Sequence, residues 1–183
     1  MNEVRIIGGT LRGRKIHFPS VAGLRPTLDR IRETLFNWLM FKIQDASCLD
    51  AFAGSGVLGF EALSRGAAKV SLIEQNHVAV LELKRNQVLL NLNGRAQVIE
   101  AAALDILAKA PMQSYDLIFL DPPFEQNLLA EALCLIAAKQ LLKPEGLVYF
   151  EAEKRLDLPL AETWQIHRHK KIGDVQFGLL QIF

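Results

Sequence analysis

Cysteine is scarce in this chain of 183 residues, which contains only Cys48 and Cys134. Neither lies near a second Cys or a His at the spacing of metal ligands, so we expect no disulfide framework and no metal site. Both are predicted to be buried as small apolar residues in a protein of a reducing compartment. Because half of the residues are hydrophobic, a chain of this length can bury a core without such cross-links.

Long hydrophobic runs and a strong net charge are also missing. No apolar run approaches the roughly 20 residues of a membrane span, and the first residues show no signal-like core, so we expect a cytoplasmic protein without a membrane partner. The net charge is only +1, but it is unevenly distributed. Residues 1–45 hold eight Lys/Arg against four Asp/Glu, which leaves thirteen against sixteen in the rest. This asymmetry indicates that the first 45 residues face a polyanion.

Strand and helix patterns alternate between residues 47 and 150, which predicts an α/β domain. Two alternating stretches near the C-terminus, separated by Gly173-Asp174, indicate an antiparallel hairpin. Short strand patterns before the domain predict a small β extension, and we divide the chain into a basic N-terminal arm (1–25) and a main domain (26–183). The predicted strands are 4–7, 14–18, 47–51, 70–74, 96–100, 115–120, 147–150, 163–171 and 175–183, and the predicted helices are 27–41, 55–65, 76–92, 104–109 and 128–141.

A glycine-rich turn separates the strand that ends at Asp50 from the next helix. Gly54, Gly56 and Gly59 satisfy the pattern G-x-G-x-x-G, and Glu74 follows 20 residues after Gly54 at the end of the next strand. In an open parallel sheet, this combination brings the backbone close to a ligand and places an acid where it binds ribose hydroxyls. The pattern predicts a nucleoside-containing cofactor.

Two cofactors compete for this turn. A dinucleotide would place its pyrophosphate at the helix N-terminus, where the carboxylate of Asp50 would repel it. S-adenosylmethionine (SAM) carries a sulfonium and an ammonium group, which an acid attracts. The run Asp50 to Gly56 resembles the first motif of SAM-dependent methyltransferases. An NAD-dependent oxidoreductase, the other alternative, normally needs a substrate domain for which little chain remains.

A second candidate loop, Asp121-Pro122-Pro123-Phe124, follows a strongly apolar strand pattern. The two prolines fix two φ angles and remove two N–H donors, so the Pro122 carbonyl and the Asp121 carboxylate are two acceptors beside one point. A planar amino group has two N–H donors and can be held there with its nitrogen directed at a methyl donor. Phe124 offers a face for base stacking. A plain Pro-Pro turn with a capping Asp is the structural alternative.

The D-P-P-F sequence is similar to the catalytic motif of amino-group methyltransferases acting on nucleic acid or glutamine. Further stretches closely resemble the bacterial 16S rRNA (guanine-N2)-methyltransferases of the RsmD type, and this resemblance covers nearly the whole chain. They are Arg5 to Gly9, Arg12 to Lys15, Leu24 to Thr27, Asp29 to Leu39, Leu63 to Ala67 and Lys171 to Gly173.

The resemblance implies a Rossmann-like, class I SAM-dependent methyltransferase fold with a seven-stranded, mostly parallel sheet. It implies methylation of the N2 amine of one guanine in 16S rRNA, within an assembled or nearly assembled small ribosomal subunit, by a monomer without metal. The implied catalytic residues are Asp121, Pro122, Pro123 and Phe124. The implied SAM-binding residues are Arg25, Pro26, Thr27, Asp50, Phe52, Ala53, Gly54, Ser55, Gly56, Gly59, Glu74, Gln75 and Asn76, and the implied RNA-binding residues are Arg5, Arg12, Arg14, Lys15, Arg30 and Arg32.

The sequence departs from the family pattern at one place. Where such methyltransferases often carry an Asp or Asn for the adenine amino group, this chain has Ala102, with Asp105 displaced onto the following helix. We therefore expect backbone groups to recognise the adenine. Two alternatives to the guanine assignment stay open: an adenine or DNA amino-methyltransferase, and a non-catalytic RNA-binding assembly factor with the same fold.

Several other polar and aromatic residues are assigned no catalytic role. His167 and His169 share a predicted strand face but lack a third ligand, so we expect them to be surface residues. Glu151 follows a predicted strand, and two interpretations stay open: it matches an acid of the family, or it is a solvated residue at a strand end. The aromatic residues Phe36, Trp38 and Phe41 are expected in the packing surface of their helix.

Overall fold

The computed structural model describes residues 2–21, 26–123, 127–158 and 160–183. Within these ranges the chain forms nine strands and five helices in the alternating order that the sequence predicts. The strands are β1 (Asn2–Arg5), β2 (Lys15–Phe18), β3 (Ser47–Asp50), β4 (Lys69–Glu74), β5 (Ala96–Glu100), β6 (Tyr115–Leu120), β7 (Leu142–Glu153), β8 (Trp164–Ile172) and β9 (Val175–Ile182). The helices are α1 (Asp29–Trp38), α2 (Val57–Ser64), α3 (His77–Leu89), α4 (Ala103–Lys109) and α5 (Leu128–Ala138).

Seven of the strands form one sheet in the order β5-β4-β3-β6-β7-β9-β8. The first five are parallel, and β9 pairs antiparallel with both β7 and β8. The chain runs outward from β3 to β4 and β5, and then returns to the other side of β3 with β6. In open α/β sheets, ligands bind at the carboxyl ends of the strands where the order reverses in this way, which is here between β3 and β6.

Helices cover both faces of the sheet. Residues of α1, α2 and α3 share one apolar cluster with one face, and residues of α4 and α5 share a second cluster with the other. Strand β6 lies at the centre, and its last four residues are buried, which explains its continuous apolar sequence. This three-layer arrangement confirms the Rossmann-like fold class.

Strands β1 and β2 form a separate two-stranded antiparallel ribbon. Ile16, within β2, and Ile6, directly after β1, are fully buried in the main core. The backbone of His17 exchanges two hydrogen bonds with the side chain of Asn86 on α3, at 3.0 and 2.7 Å. The predicted arm is thus packed onto the helices of the domain, and the division at residue 25 stays a prediction.

The positions of the strands and helices agree with the sequence patterns, and β5 and β6 have the predicted ends. Strand β7 is the largest difference, since it begins at Leu142 rather than at 147. The segment from Lys143 to Gly146 has turn composition, but it is a local irregularity inside the strand, with Tyr115 paired to Leu142 and Leu117 to Leu147. A tertiary pairing overrides the local turn preference here.

Three predictions about single helices and side chains are wrong. Helix α1 spans Asp29–Trp38 rather than 27–41, which leaves Thr27 before the helix and Phe41 beyond it. Phe41 is 88% exposed, so it is outside the packing surface, whereas Phe36 and Trp38 contact the core. Cys134 is exposed, because it lies on the outer side of α5, whereas Cys48 is buried as expected.

Among the described residues, no helix has the length and apolar composition that crossing a membrane requires.

Candidate active site

Acidic side chains collect at the carboxyl ends of three neighbouring strands. Asp50 ends β3, Asp121 follows β6, and Glu151 lies near the end of β7. The parallel register pairs Leu120 with Phe150, which places Asp121 beside Glu151. The site therefore lies at the point where the strand order reverses, and it is built on buried strands that hold the carboxyl groups rigidly.

Glu74 closes the glycine-rich turn through two backbone hydrogen bonds. One carboxylate oxygen of Glu74 accepts the Gly54 N–H at 3.0 Å, and the other accepts the Asn76 N–H at 2.7 Å. Asn76 in turn caps α3, with its side-chain oxygen accepting the N–H groups of Val78 and Ala79. The turn and the end of β4 thus form one hydrogen-bonded unit with an acid at its edge.

The glycines of this turn are required by geometry. Gly56 has φ +77°, and a Cβ there would lie 2.5 Å from a methyl group of Leu83. At Gly59, a Cβ would lie 2.4 Å from a methyl group of Leu72, so a side chain there would force Leu72, on β4, to move. The Gly59 N–H donates to Asp50 at 3.0 Å, which fixes that carboxyl group under the turn.

Burial governs the protonation of the Asp50 carboxyl group. Asp50 is 1% exposed, and this burial raises its pKa to about 7, opposed by the Gly59 hydrogen bond and assisted by the nearby charges of Glu74 and Glu151. Without a compensating cation, the ionised form is costly at neutral pH.

Asp50 should therefore make the protein less stable as the pH rises. Because its folded pKa, about 7, exceeds the ordinary value of 3.8, the folded state binds a proton between about pH 4 and pH 7 that the unfolded chain releases. Stability from this group is lost across that window, on the order of 4 kcal/mol in total. We expect Asp50→Asn, which keeps an oxygen for the Gly59 N–H, to raise the melting temperature at pH 8 and to change it little at pH 4.5. Equal effects at both pH values in calorimetry would contradict this.

Asp121 lies in the same acidic surroundings. The Thr27 hydroxyl donates to its Oδ2 at 3.4 Å. Desolvation, followed by the charges of Glu151 and Asp50, raises the pKa of the Asp121 carboxyl well above its ordinary value, and the Thr27 hydrogen bond opposes this rise. A carboxyl group in such surroundings accepts a proton more readily than an ordinary aspartate.

A cavity of about 320 Å³ opens beside the two prolines that follow Asp121. Its walls include Pro122 and Pro123 from the turn, Glu151 from β7, and Leu128 and Leu129 from α5. The volume is within the range of small-molecule sites, about 300–1,000 Å³. The predicted target loop thus borders a cleft that can receive a planar group.

One of the residues proposed to contact RNA is wrongly assigned. The Arg32 side chain is fully buried, and its guanidinium pairs with Glu61 at 3.2 Å and donates to the carbonyls of Thr27 and Arg5 at 3.2 and 3.0 Å. A side chain with these partners is not available to RNA. The buried carboxylate of Glu61 on α2 attracts the guanidinium inward.

The other predicted RNA-binding residues, Arg5, Arg12, Arg14, Lys15 and Arg30, are exposed. Two of them already have partners: Lys15 forms an ion pair with Glu3 at 2.7 Å, and Arg14 donates to the Leu89 carbonyl at 2.8 Å. His167 and His169 are exposed as predicted.

The structure brings the predicted acids and glycines together at one edge, but Arg25 and Phe124 lie outside the described residues. Pro26 is half-buried and Thr27 is buried, close to Asp121 rather than in α1. Around the glycine turn, Ala53 and Ser55 are buried, Phe52 is half-buried and Gln75 is exposed. Asp105 is exposed in the first turn of α4.

One residue of the site, Tyr149, was missed, and so was one buried acid outside the site, Glu61. The Tyr149 hydroxyl donates to Glu151 at 2.8 Å, and Glu61 accepts the N–H groups of Ile7 and Gly8 at 3.0 and 2.8 Å. An acid within the otherwise apolar α2 pattern was the available signal for Glu61. For Tyr149, inside an apolar strand, no local signal exists.

The strand order, the glycine turn and the acids at the carboxyl ends define a class I methyltransferase. Solved structures agree: a putative methyltransferase from Escherichia coli superposes with a TM-score of 0.88 at 44% identity, covering 99% of this chain and 98% of the other. A putative methylase from Haemophilus influenzae superposes with a TM-score of 0.86 at 44% identity, covering 99% of each chain.

Sequence comparisons identify the family within this class to which the chain belongs. Residues 4–181 match the model of a family described as "Conserved hypothetical protein 95". The ribosomal RNA small subunit methyltransferase D of H. influenzae is 47% identical over 98% of this chain and 94% of its own length, and that of E. coli K12 is 46% identical over 98% and 90%. The chain belongs to this methyltransferase D family.

Proposed function

We propose that this protein transfers a methyl group from SAM to the exocyclic N2 amine of one guanine in the 16S rRNA of the small ribosomal subunit. The observation that carries the proposal is the position of the Asp121-Pro122-Pro123 turn. It follows β6, the neighbour of the strand β3 that leads into the glycine turn, and its two prolines line an open cavity. The relatives named for small-subunit rRNA methylation support the substrate class.

The residues at the glycine turn suit SAM better than a dinucleotide. A pyrophosphate would need free N–H groups at the start of α2, but the Gly59 N–H is already bonded to Asp50 and the Val57 N–H to the Ser55 hydroxyl. The buried Asp50 carboxyl group would also repel phosphate, whereas it attracts a cationic ligand. Glu74, anchored at the edge of the turn, has lone pairs left for ribose hydroxyls.

The target loop supplies orientation and a proton acceptor. When bound, SAM supplies an electrophilic methyl group on its sulfonium. An exocyclic amine of a base is a poor nucleophile because its lone pair is delocalised into the ring. Asp121 and the Pro122 carbonyl accept its two N–H groups, which orients the nitrogen for attack. The new N–C bond forms as the C–S bond breaks, and the surplus proton on nitrogen passes to Asp121, directly or through water.

Exposed cations of the N-terminal segment and of α1 provide the contact with RNA. Arg5, Arg12, Arg14, Lys15 and Arg30 can neutralise phosphates or stack on unpaired bases. Because the guanine N2 amine lies on the pairing edge, the target base must be unpaired or turned out of its helix to enter the cavity. We propose that the protein acts as a monomer on an assembled or nearly assembled subunit.

The decisive experiment is methyl transfer from labelled SAM to small subunits that lack the modification, followed by nucleoside analysis. We expect labelled N2-methylguanosine with the wild-type protein and none above background with Asp121→Ala, and more product on subunits than on naked 16S rRNA. Labelled methyladenosine would overturn the guanine assignment. SAM binding without transfer to any RNA would instead support a non-catalytic assembly factor.

A further inference from the structure

Glu151 is a buried acid that has no role in the reaction proposed above. It is 4% exposed, and none of the ion pairs among the described residues includes it. Such a carboxyl group is costly to bury unless donors reach it. Its side chain borders the 320 Å³ cavity together with Pro122 and Pro123, so a ligand in that cavity can supply a donor.

Neighbouring side chains hold Glu151 in one orientation. The hydroxyl of Tyr149, itself 1% exposed, donates to Oε1 at 2.8 Å. Burial raises the pKa of the Glu151 carboxyl, while hydrogen bonds from Thr27 and Tyr149 lower it. The Thr27 hydroxyl donates to the neighbouring Asp121 at 3.4 Å, and the pairing of Leu120 with Phe150 places the two acids side by side.

Guanine carries two kinds of hydrogen-bond donor on one edge, and these can be accepted by the two neighbouring acids Asp121 and Glu151. Its N1–H lies next to the N2 amine, whereas adenine and 2-aminopurine have a bare N1 acceptor at the same place. If Asp121 and Pro122 hold the N2 amine, the adjacent acceptor at the cavity wall is Glu151. We infer that Glu151 is a specificity residue that accepts the N1–H hydrogen bond of the target guanine. This inference rests on the proposed function and explains which base the site accepts.

The inference is tested with small subunits reconstituted from rRNA that carries either guanine or 2-aminopurine at the methylated nucleotide. Both bases have the N2 amine, but only guanine has N1–H. We expect the wild-type enzyme to prefer guanine by at least about 100-fold in kcat/KM, since a site built around a hydrogen bond rejects the analogue that lacks it. In Glu151→Gln, Oε1 still accepts from Tyr149 and the new NH₂ group faces N1, so we expect this preference to fall at least about tenfold.

Two further variants separate specificity from folding. Glu153→Gln changes an exposed acid that borders the same cavity, and we expect it to leave the guanine preference unchanged. Tyr149→Phe removes only the anchor of Glu151 and should reduce the preference by less than Glu151→Gln does. Glu151→Gln that loses activity equally on both bases would overturn the inference while the proposed function stands. Wild-type enzyme that methylates neither base would overturn both.

Discussion

Asp121→Ala is expected to lower kcat for methyl transfer by about 100- to 10,000-fold, the range typical of a lost acid–base and orienting group. The substitution removes an acceptor for the amine and the group that receives its proton. It also relieves repulsion among Asp50, Asp121 and Glu151, all of which have raised pKa values. The variant should therefore melt at the same temperature as the wild type or higher, which separates lost chemistry from lost folding.

A matched variant distinguishes the two roles of Asp121. Asp121→Asn keeps an oxygen that orients the amine, but it cannot take up a proton. We expect Asp121→Asn to retain more activity than Asp121→Ala and to lose the acid limb of the pH–rate profile that the raised pKa of Asp121 gives the wild type. Single-turnover rates between pH 5 and pH 9 measure this. Activity of Asp121→Ala within threefold of wild type would show that this carboxyl group has neither role.

Arg32→Met is expected to have the largest effect on stability, a loss of about 3–5 kcal/mol in the free energy of unfolding. Both side chains of the Arg32–Glu61 pair are fully buried. Removal of the cation leaves a buried carboxylate whose one other cationic partner among the described residues is Arg65, at 2.8 Å. The carbonyls of Arg5 and Thr27 also lose their donor. Chemical denaturation or calorimetry measures the loss.

Arg30 provides the matched control, because it is an arginine of the same helix with an exposed side chain. Arg30→Met should change stability by less than about 0.5 kcal/mol and instead weaken RNA binding, with a smaller salt dependence. Equal destabilisation by the two variants would contradict the burial argument.

Because Arg32 holds the Thr27 carbonyl, and the Thr27 hydroxyl donates to Asp121, we also expect Arg32→Met to reduce activity at temperatures where it is still folded.

The sequence by itself determined the class of fold and the location of the site. The alternating hydrophobic pattern of a strand and the helical pattern of a helix depend on which face of that element is buried. Both can therefore be recognised from neighbouring residues alone. The glycine turn could be recognised in the same way, since the positive φ of Gly56 is a property of the turn itself. Asp121-Pro122-Pro123 follows a central strand, whose carboxyl end in a parallel sheet opens toward that turn.

Only the tertiary structure decided how the charged side chains are used. Arg30 and Arg32 are indistinguishable as local signals on α1, yet one is exposed and the other is buried against Glu61, 29 residues away. Glu151 likewise had two equal interpretations until β7 placed it beside Asp121 and under the hydroxyl of Tyr149. Burial and the partners of a charge depend on contacts between elements distant in sequence, and these contacts set its pKa and its availability to a ligand.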